Sequence, residues 1–354
     1  MYSKKYWKIL SIDKSISCFS PSPCWVAYLP KGKGNQLTNN RRFFSTKPLL
    51  DDNYNNIDPY FITGITDAEG SFVCIIRKNS NSRLGWRVEV IFQIALHRKD
   101  LELLKLIKAY FDNTGIITES ELMCAFRVSS PLQILGQVLS HFDKYPLITQ
   151  KHAYYLLFKK IVEMVLNKKH LNEEGLQEII NIRACLNLGL SHVLKESFPN
   201  TTPVLRPLVN NKKIPDPQWV AGFVSGEGCF FVKITKDRNI AEVGVQILFQ
   251  VSQHERDIEL LKSFIYFFNC GSYVQSPNRK WGYYVCTKFK DNFEIIKAFF
   301  DKYPIRGVKY KDYLDWIKIG KMINKKQHLT KQGITKIILI KSNMNTKRLF
   351  DNKD

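Results

Sequence analysis

Glu69 and Glu227 are the residues best placed for chemistry, because each closes the same short pattern. Ile62-Thr63-Gly64-Ile65-Thr66-Asp67-Ala68-Glu69-Gly70 and Val220-Ala221-Gly222-Phe223-Val224-Ser225-Gly226-Glu227-Gly228 stand 158 residues apart. Asp58-Pro59 and Asp216-Pro217 precede the two patterns, each an N-cap followed by proline at the first helical position. Both patterns therefore open helices. Gly70 and Gly228 fall where a left-handed residue would stop each helix, which puts both glutamates at helix ends beside a sheet edge. A carboxylate there faces the negative pole of the helix, and a divalent cation would compensate it. Small residues recur four apart, Thr63 and Gly64 with Asp67 and Ala68, Ala221 and Gly222 with Ser225 and Gly226. A stripe without bulk lets two backbones approach closely, so the helices should dock there and carry both carboxylates to one end of a seam. A single glutamate at a helix end is ordinarily a solvated group; the paired placement argues otherwise.

The elements around these helices repeat as well. Phe92-Gln93, His97, Asp100 and Glu102-Leu103-Leu104-Lys105 recur as Phe249-Gln250, His254, Asp257 and Glu259-Leu260-Leu261-Lys262. Phe142-Asp143-Lys144-Tyr145-Pro146 and Lys151 recur as Phe300-Asp301-Lys302-Tyr303-Pro304 and Lys309. The offset stays at 157 or 158 throughout, which predicts two copies of one unit at residues 51–188 and 216–346. Residues 189–215, with Pro199, Pro203, Pro207 and Pro215, form a linker whose composition resists a helix or a central strand. After each motif helix the residues alternate: Trp86, Val88, Val90, Phe92 and Ile94 against Arg87, Glu89, Ile91, Gln93 and Ala95, then Val243, Val245, Ile247, Phe249 and Val251 against Glu242, Gly244, Gln246, Leu248 and Gln250. These are half-buried strands. Helical spacing returns at 99–111 and 256–268, shorter strands at 122–129 and 281–289, and helices at 131–142, 150–167, 290–301 and 309–323. The fold class is α+β, each unit an antiparallel sheet covered on one face by helices.

The net charge of +21, from 53 Lys plus Arg against 32 Asp plus Glu, points to a polyanionic partner, nucleic acid first. The eight cysteines show no C-x-x-C pair and no spacing that suits zinc, so they read as reduced, packed thiols. Charged or amide residues interrupt every apolar run, which excludes a transmembrane helix. Residues 1–50 carry nine basic residues and one acid, a composition shared by organelle transit peptides, by a translated leader fused in frame, and by a basic nucleic-acid-binding tail. The first two readings point to mitochondria. Residues 347–354 form a short tail.

The paired patterns with this strand order closely resemble the LAGLIDADG homing endonucleases and intron maturases in their single-chain, two-motif form, over residues 57–345. The resemblance implies a monomer of two pseudo-twofold αββαββα units whose sheets form a saddle over double-stranded DNA. It implies that Glu69 and Glu227 bind a divalent ion, with the carbonyls of Ala68 and Gly226 as further ligands, and that each unit cuts one strand. Carboxylate, carbonyl, water and phosphate oxygens suit Mg²⁺. By the same resemblance Lys151 and Lys309 serve the scissile phosphate, and Gln253 takes a solvent-ordering place that Leu96 fills in the first unit. Asp67 sits in the sixth motif position, but Ser225 replaces it in the second copy.

The outward strand faces gather Arg77, Arg87, Glu89 and Gln93 with Lys233, Thr235, Glu242, Gln246 and Gln250, a donor and acceptor mix able to read base edges in a major groove. Ile75, Ile91 and Leu248 point the same way, and solvent is a poor partner for them. His97 and His254 have no second ligand at metal spacing and are expected to act as helix-entry residues. The leading functional expectation is a metal-dependent double-strand cut in a long pseudo-palindromic DNA. The alternatives are an intron RNA maturase on the same scaffold and a DNA-binding protein without activity.

Overall fold

The computed structural model describes residues 56–209, 213–235, 243–277, 279–345 and 348. The leader, residues 51–55 of the first unit, Glu242 and all of the tail but Arg348 lie outside the described residues.

In the first half the order is α1 (Pro59–Glu69), β1 (Gly70–Lys78), β2 (Trp86–His97), α2 (Leu101–Tyr110), β3 (Ile116–Glu119), β4 (Met123–Val128), a helix α3 over residues 131–144, α4 (Lys151–Leu166) and α5 (Glu173–Arg183). A short helix α6 (His192–Ser197) follows in the connection. The second half repeats the order as α7 (Pro217–Glu227), β5 (Gly228–Thr235), β6 (Gly244–His254), α8 (Ile258–Phe268), β7 (Ser272–Gln275), β8 (Trp281–Cys286), α9 over residues 289–302, α10 (Lys309–Asn324) and α11 (Lys331–Lys341). Each half holds a four-stranded antiparallel sheet, ordered β1-β2-β4-β3 and β5-β6-β8-β7. Among the described residues no helix is long and apolar enough to cross a membrane.

The strand alternation decides which face is buried. Val88, Val90, Phe92 and Ile94 on β2 and Ile247, Phe249 and Val251 on β6 turn into the helices, and each half has its own apolar core. Matched aromatics fill both: Phe72, Phe92, Phe142 and Phe158 in one, Phe230, Phe249, Phe300 and Trp316 in the other. Each ring contributes roughly 1.5–3 kcal/mol by burial. Tyr155 Oη donates to the Leu139 carbonyl at 3.1 Å, and Tyr313 Oη to the equivalent Lys297 carbonyl at 3.0 Å. Even the polar tips of the two cores are duplicated.

α1 and α7 pack against each other backbone to backbone. A Cβ built on Gly64 would stand 2.1 Å from the Trp219 carbonyl oxygen, and one on Gly222 would stand 2.1 Å from that of Phe61. Only glycine permits this approach from both sides. The caps are as the sequence predicts: Asp58 accepts from the Tyr60 amide at 2.8 Å and Asp216 from the Gln218 amide at 2.7 Å.

Two expectations need correction. Gly70 and Gly228 are not left-handed; their φ values are −75° and −74°, extended backbone that starts β1 and β5 directly. Glycine is needed there because a Cβ would meet the side chain and carbonyl of Thr66 or Val224, 2.4–2.8 Å away. The connection is not free of helix, since Ser191 caps α6 through the Leu194 amide and Leu194 packs into the first core. β3 and β7, at 116–119 and 272–275, complete the four strands expected of each unit, and their four residues are too short for alternation to give them a range.

Candidate functional site

The glutamates meet at the C-terminal end of the α1/α7 seam. A Cβ on Gly226 would stand 2.4 Å from Ala68 Cβ and 3.1 Å from Glu69 Cγ, so Glu69 lies against the other helix one residue from Glu227. The Glu227 carboxyl is pushed up to about 8, first by burial and then by the charge of Glu69, with Lys309, Lys151 and Gln253 pulling the other way. Two carboxylates crowded in this manner call for positive charge.

Two lysines supply part of it. Lys151, the first residue of α4 and only 7% exposed, donates through Nζ to the carbonyls of Thr66 at 3.0 Å and Ala68 at 3.2 Å. Lys309, the first residue of α10, donates to the Gly226 carbonyl. Burial lowers the Lys309 ammonium, while Glu227, Glu69 and Asp100 act to keep its proton. The carbonyls expected as metal ligands, those of Ala68 and Gly226, are thus the ones the lysines touch. A carbonyl oxygen has two lone pairs and can accept from more than one partner.

The halves differ at one polar position. Gln253 Nε2 donates to Glu227 Oε1 at 3.1 Å. Leu96, its counterpart, is buried and apolar, so the inequality read from the sequence is physical.

Asp67 has a role that the sequence hides. Its carboxylate accepts from the Ile148 and Thr149 amides at 3.0 and 3.3 Å, from Thr149 Oγ1 at 2.6 Å, and from Trp219 Nε1 of the opposite helix at 2.9 Å. Burial raises its pKa and these bonds lower it. Ser225 performs the matching task with a hydroxyl, accepting from the Arg306 amide at 3.0 Å. Both residues hold the loop that leads into a lysine-bearing helix. No side-chain pattern marks such a bond, because most of the donors are main-chain amides roughly 80 residues away in sequence.

The polar residues of the strand faces are partly self-satisfied. Glu89 bridges Arg77 at 2.6 Å and Arg87 at 2.9 Å. Gln93, 8% exposed, accepts from Arg127 Nε at 3.1 Å, which brings Arg127 onto this face although its type and spacing did not single it out. On the second sheet Lys233 and Thr235 are exposed, Gln246 donates to the Thr287 carbonyl at 3.0 Å, and Gln250 to Ser252 Oγ at 3.0 Å. Ile75, Ile91 and Leu248 are only half-buried. His97 and His254 are helix-entry groups: their Nδ1 atoms accept from the Lys99 and Arg256 amides at 3.2 and 3.3 Å.

The six cysteines among the described residues are free thiols. Cys270, Cys286 and Asp291 do bring their ligand atoms within 4.8 Å of one another, a grouping made by the fold that linear spacing could not reveal.

The family model described as LAGLIDADG endonuclease matches residues 62–162 and 220–320. The chain is 43% identical over 300 residues to a protein of Neurospora crassa named probable intron-encoded endonuclease 2, covering 81% of this chain and 65% of that one. It therefore spans somewhat under two thirds of that relative's length. A 50.9 kDa protein in ND4 intron 1 of Podospora anserina is 44% identical over 120 residues, 33% of this chain and 26% of that one. Among solved structures, the LAGLIDADG homing endonuclease I-SmaMI bound to cleaved DNA superposes with a TM-score of 0.81 at 42% identity, over 83% of this chain and 99% of that one. I-GzeII in complex with its DNA target gives 0.78 at 48% identity, over 83% and 100%.

Proposed function

The chain belongs to the LAGLIDADG endonuclease family, and from that premise we propose that it is a site-specific endodeoxyribonuclease that makes a double-strand break in a long pseudo-palindromic DNA, with Mg²⁺ as its ion. The observation that carries this reading is the meeting of Glu69 and Glu227 at a seam end where two buried lysines approach. The donor set fits a hard divalent cation: the Glu227 carboxyl, whose ionisation burial and the Glu69 charge oppose, with Glu69 beside it and the main-chain oxygens of Ala68 and Gly226. When bound there, such an ion offsets phosphate charge and makes water a better nucleophile.

The chain's own groups do the rest. Glu69 and Glu227 hold the charge at the seam, one for each strand. Lys151 and Lys309 are fixed by the main chain at the helix ends, and donors not spent on carbonyls reach a phosphate oxygen as negative charge develops. Gln253 orients one Glu227 oxygen and leaves the other for its ligand. Arg77, Arg87, Glu89, Gln93, Lys233, Thr235, Glu242, Gln246 and Gln250 read or position the duplex, with the Glu89 bridges exchanged for base or phosphate partners on binding. The accompanying organisation is a leader 1–50, units 51–188 and 216–346 joined by 189–215, and a tail, acting as a monomer. The leader's composition and the ND4-intron relative support a mitochondrial setting.

The test uses the full chain with Mg²⁺ and a duplex spanning the uninterrupted insertion site. Linear product is expected, and it should be lost in Glu69→Gln and Glu227→Gln. Tight binding of intron RNA without cutting, indifferent to both substitutions, would replace this reading with the maturase one.

A further inference from the structure

Asp100 and Asp257 stand at the N-cap of α2 and α8, yet neither caps its own helix through its side chain. Each carboxylate crosses to the other half instead. Asp100 Oδ1 accepts from the Val308 amide at 2.7 Å, and Asp257 Oδ1 accepts from the Gln150 amide at 3.0 Å. Val308 and Gln150 are in turn the N-cap residues of α10 and α4, immediately before Lys309 and Lys151, and neither supplies a side-chain cap to those helices. The exchange is reciprocal: the acids are 157 residues apart and their donor partners 158. An aspartate at an N-cap normally stabilises its helix by accepting from the amides of its own first turn. Forgoing that in both copies, for the same contact across the seam, is a duplicated arrangement rather than an accident of one loop.

We propose that Asp100 and Asp257 are positioning residues, each setting the lysine of the opposite half from the first turn of its helix, so that each strand-cutting centre is completed by the half that carries the other. This rests on the endonuclease reading. The link is short and stiff. Gly307, with φ of +77°, brings the chain so close that a Cβ would stand 2.3 Å from Asp100 Oδ1, and the next two residues are Val308 and Lys309. Asp100 also feels the charges of Lys309, His97 and Glu69. The first half has a further tether, since Thr149 Oγ1 accepts from the Lys151 amide at 3.1 Å while donating to Asp67. Gly307 takes the place of Thr149 in the second half and offers no hydroxyl. Losing Asp100 should therefore matter more than losing Asp257.

The experiment follows single-turnover cutting of each strand separately, on a duplex labelled at one 5′ end or the other, with the full chain. Asp100→Ala should slow one strand by about ten- to a hundredfold and leave the other near wild type. Asp257→Ala should slow the opposite strand by less. Asp100→Asn keeps an acceptor oxygen and should recover most of the loss. Val308→Pro deletes the donor at a backbone φ of −63° that proline adopts, and it should reproduce the strand bias of Asp100→Ala even if that variant folds poorly. Equal slowing of both strands, the same strand slowed by both aspartate variants, or no slowing would overturn the proposal. Glu69→Gln and Glu227→Gln run alongside: if they cut like wild type, or if the wild-type chain does not cut, the endonuclease reading itself fails and this inference goes with it.

Discussion

Single residues set how unequal the two centres are. Gln253 touches Glu227, whereas buried Leu96 offers Glu69 nothing polar at the equivalent place. Gln253→Leu should slow one strand selectively, read as accumulation of a nicked intermediate from supercoiled plasmid. His141 shows how burial governs pH behaviour. Its ring lies between Thr63 Oγ1 at 3.1 Å and Tyr110 Oη at 2.9 Å, and burial pushes its pKa down to about 3. The unfolded chain takes up that proton below about pH 6.5 while the folded chain does not, so this group costs stability as pH falls through that window. Relative to wild type, His141→Gln should recover on the order of 2 kcal/mol between pH 7 and pH 4.5, measured by denaturant titration. An unchanged difference at the two values would refute the assignment. Asp67→Ala strands three amide or indole donors and should cost roughly 3 kcal/mol or more by the same measurement. The glutamates and lysines were legible because a repeat displays them twice, whereas Gln253, with Leu96 as its counterpart, was singled out only by resemblance. Asp67, Asp100 and Asp257 were visible as letters, but their partners are chiefly backbone amides distant in sequence, joined at Asp67 by the Thr149 hydroxyl and the Trp219 indole, and side-chain spacing carries no record of those.

At the scale of elements, the seam is the strictest constraint. Gly64→Ala drives a methyl into the Trp219 carbonyl, where no rotamer can relieve it, and should destabilise the chain by several kcal/mol. Gly136 is the control: it lies exposed in α3 with no neighbour near its absent Cβ, so Gly136→Ala should be neutral or stabilise by up to ~1 kcal/mol. Thermal melts of the two variants decide it, and a comparable loss in both would show that helix docking is not what the seam glycines serve. Helix starts were readable from Asp-Pro, and the long strands from alternation. The helix stops were read with the wrong mechanism, because Gly70 and Gly228 answer a crowding by Thr66 and Val224 that exists only once the strand turns away. The single π turns within α3 and α9, at Ile134–Leu139 and Asn292–Ile296, left no mark in the residue spacing either.

The whole molecule carries a net charge of +21, and its outward sheet faces hold arginines, a lysine and amides. Binding to duplex DNA should weaken steeply with salt, by about 10³- to 10⁵-fold between 50 and 200 mM if six to ten phosphates are engaged. A nearly flat dependence in a fluorescence titration would argue against the saddle as a DNA surface. The twofold plan was plain from the constant offset, yet how the halves are cross-braced emerged only in three dimensions. Because α1 and α7 touch through main-chain atoms, which are common to every protein, the junction concentrates its strict demands on a few positions. Halves grafted from different relatives into one chimera should fit if glycine is kept at both crossing points and the indole of Trp219 still finds a carboxylate. A joint defined by so few positions would let sheet faces from different chains be combined without redesigning it.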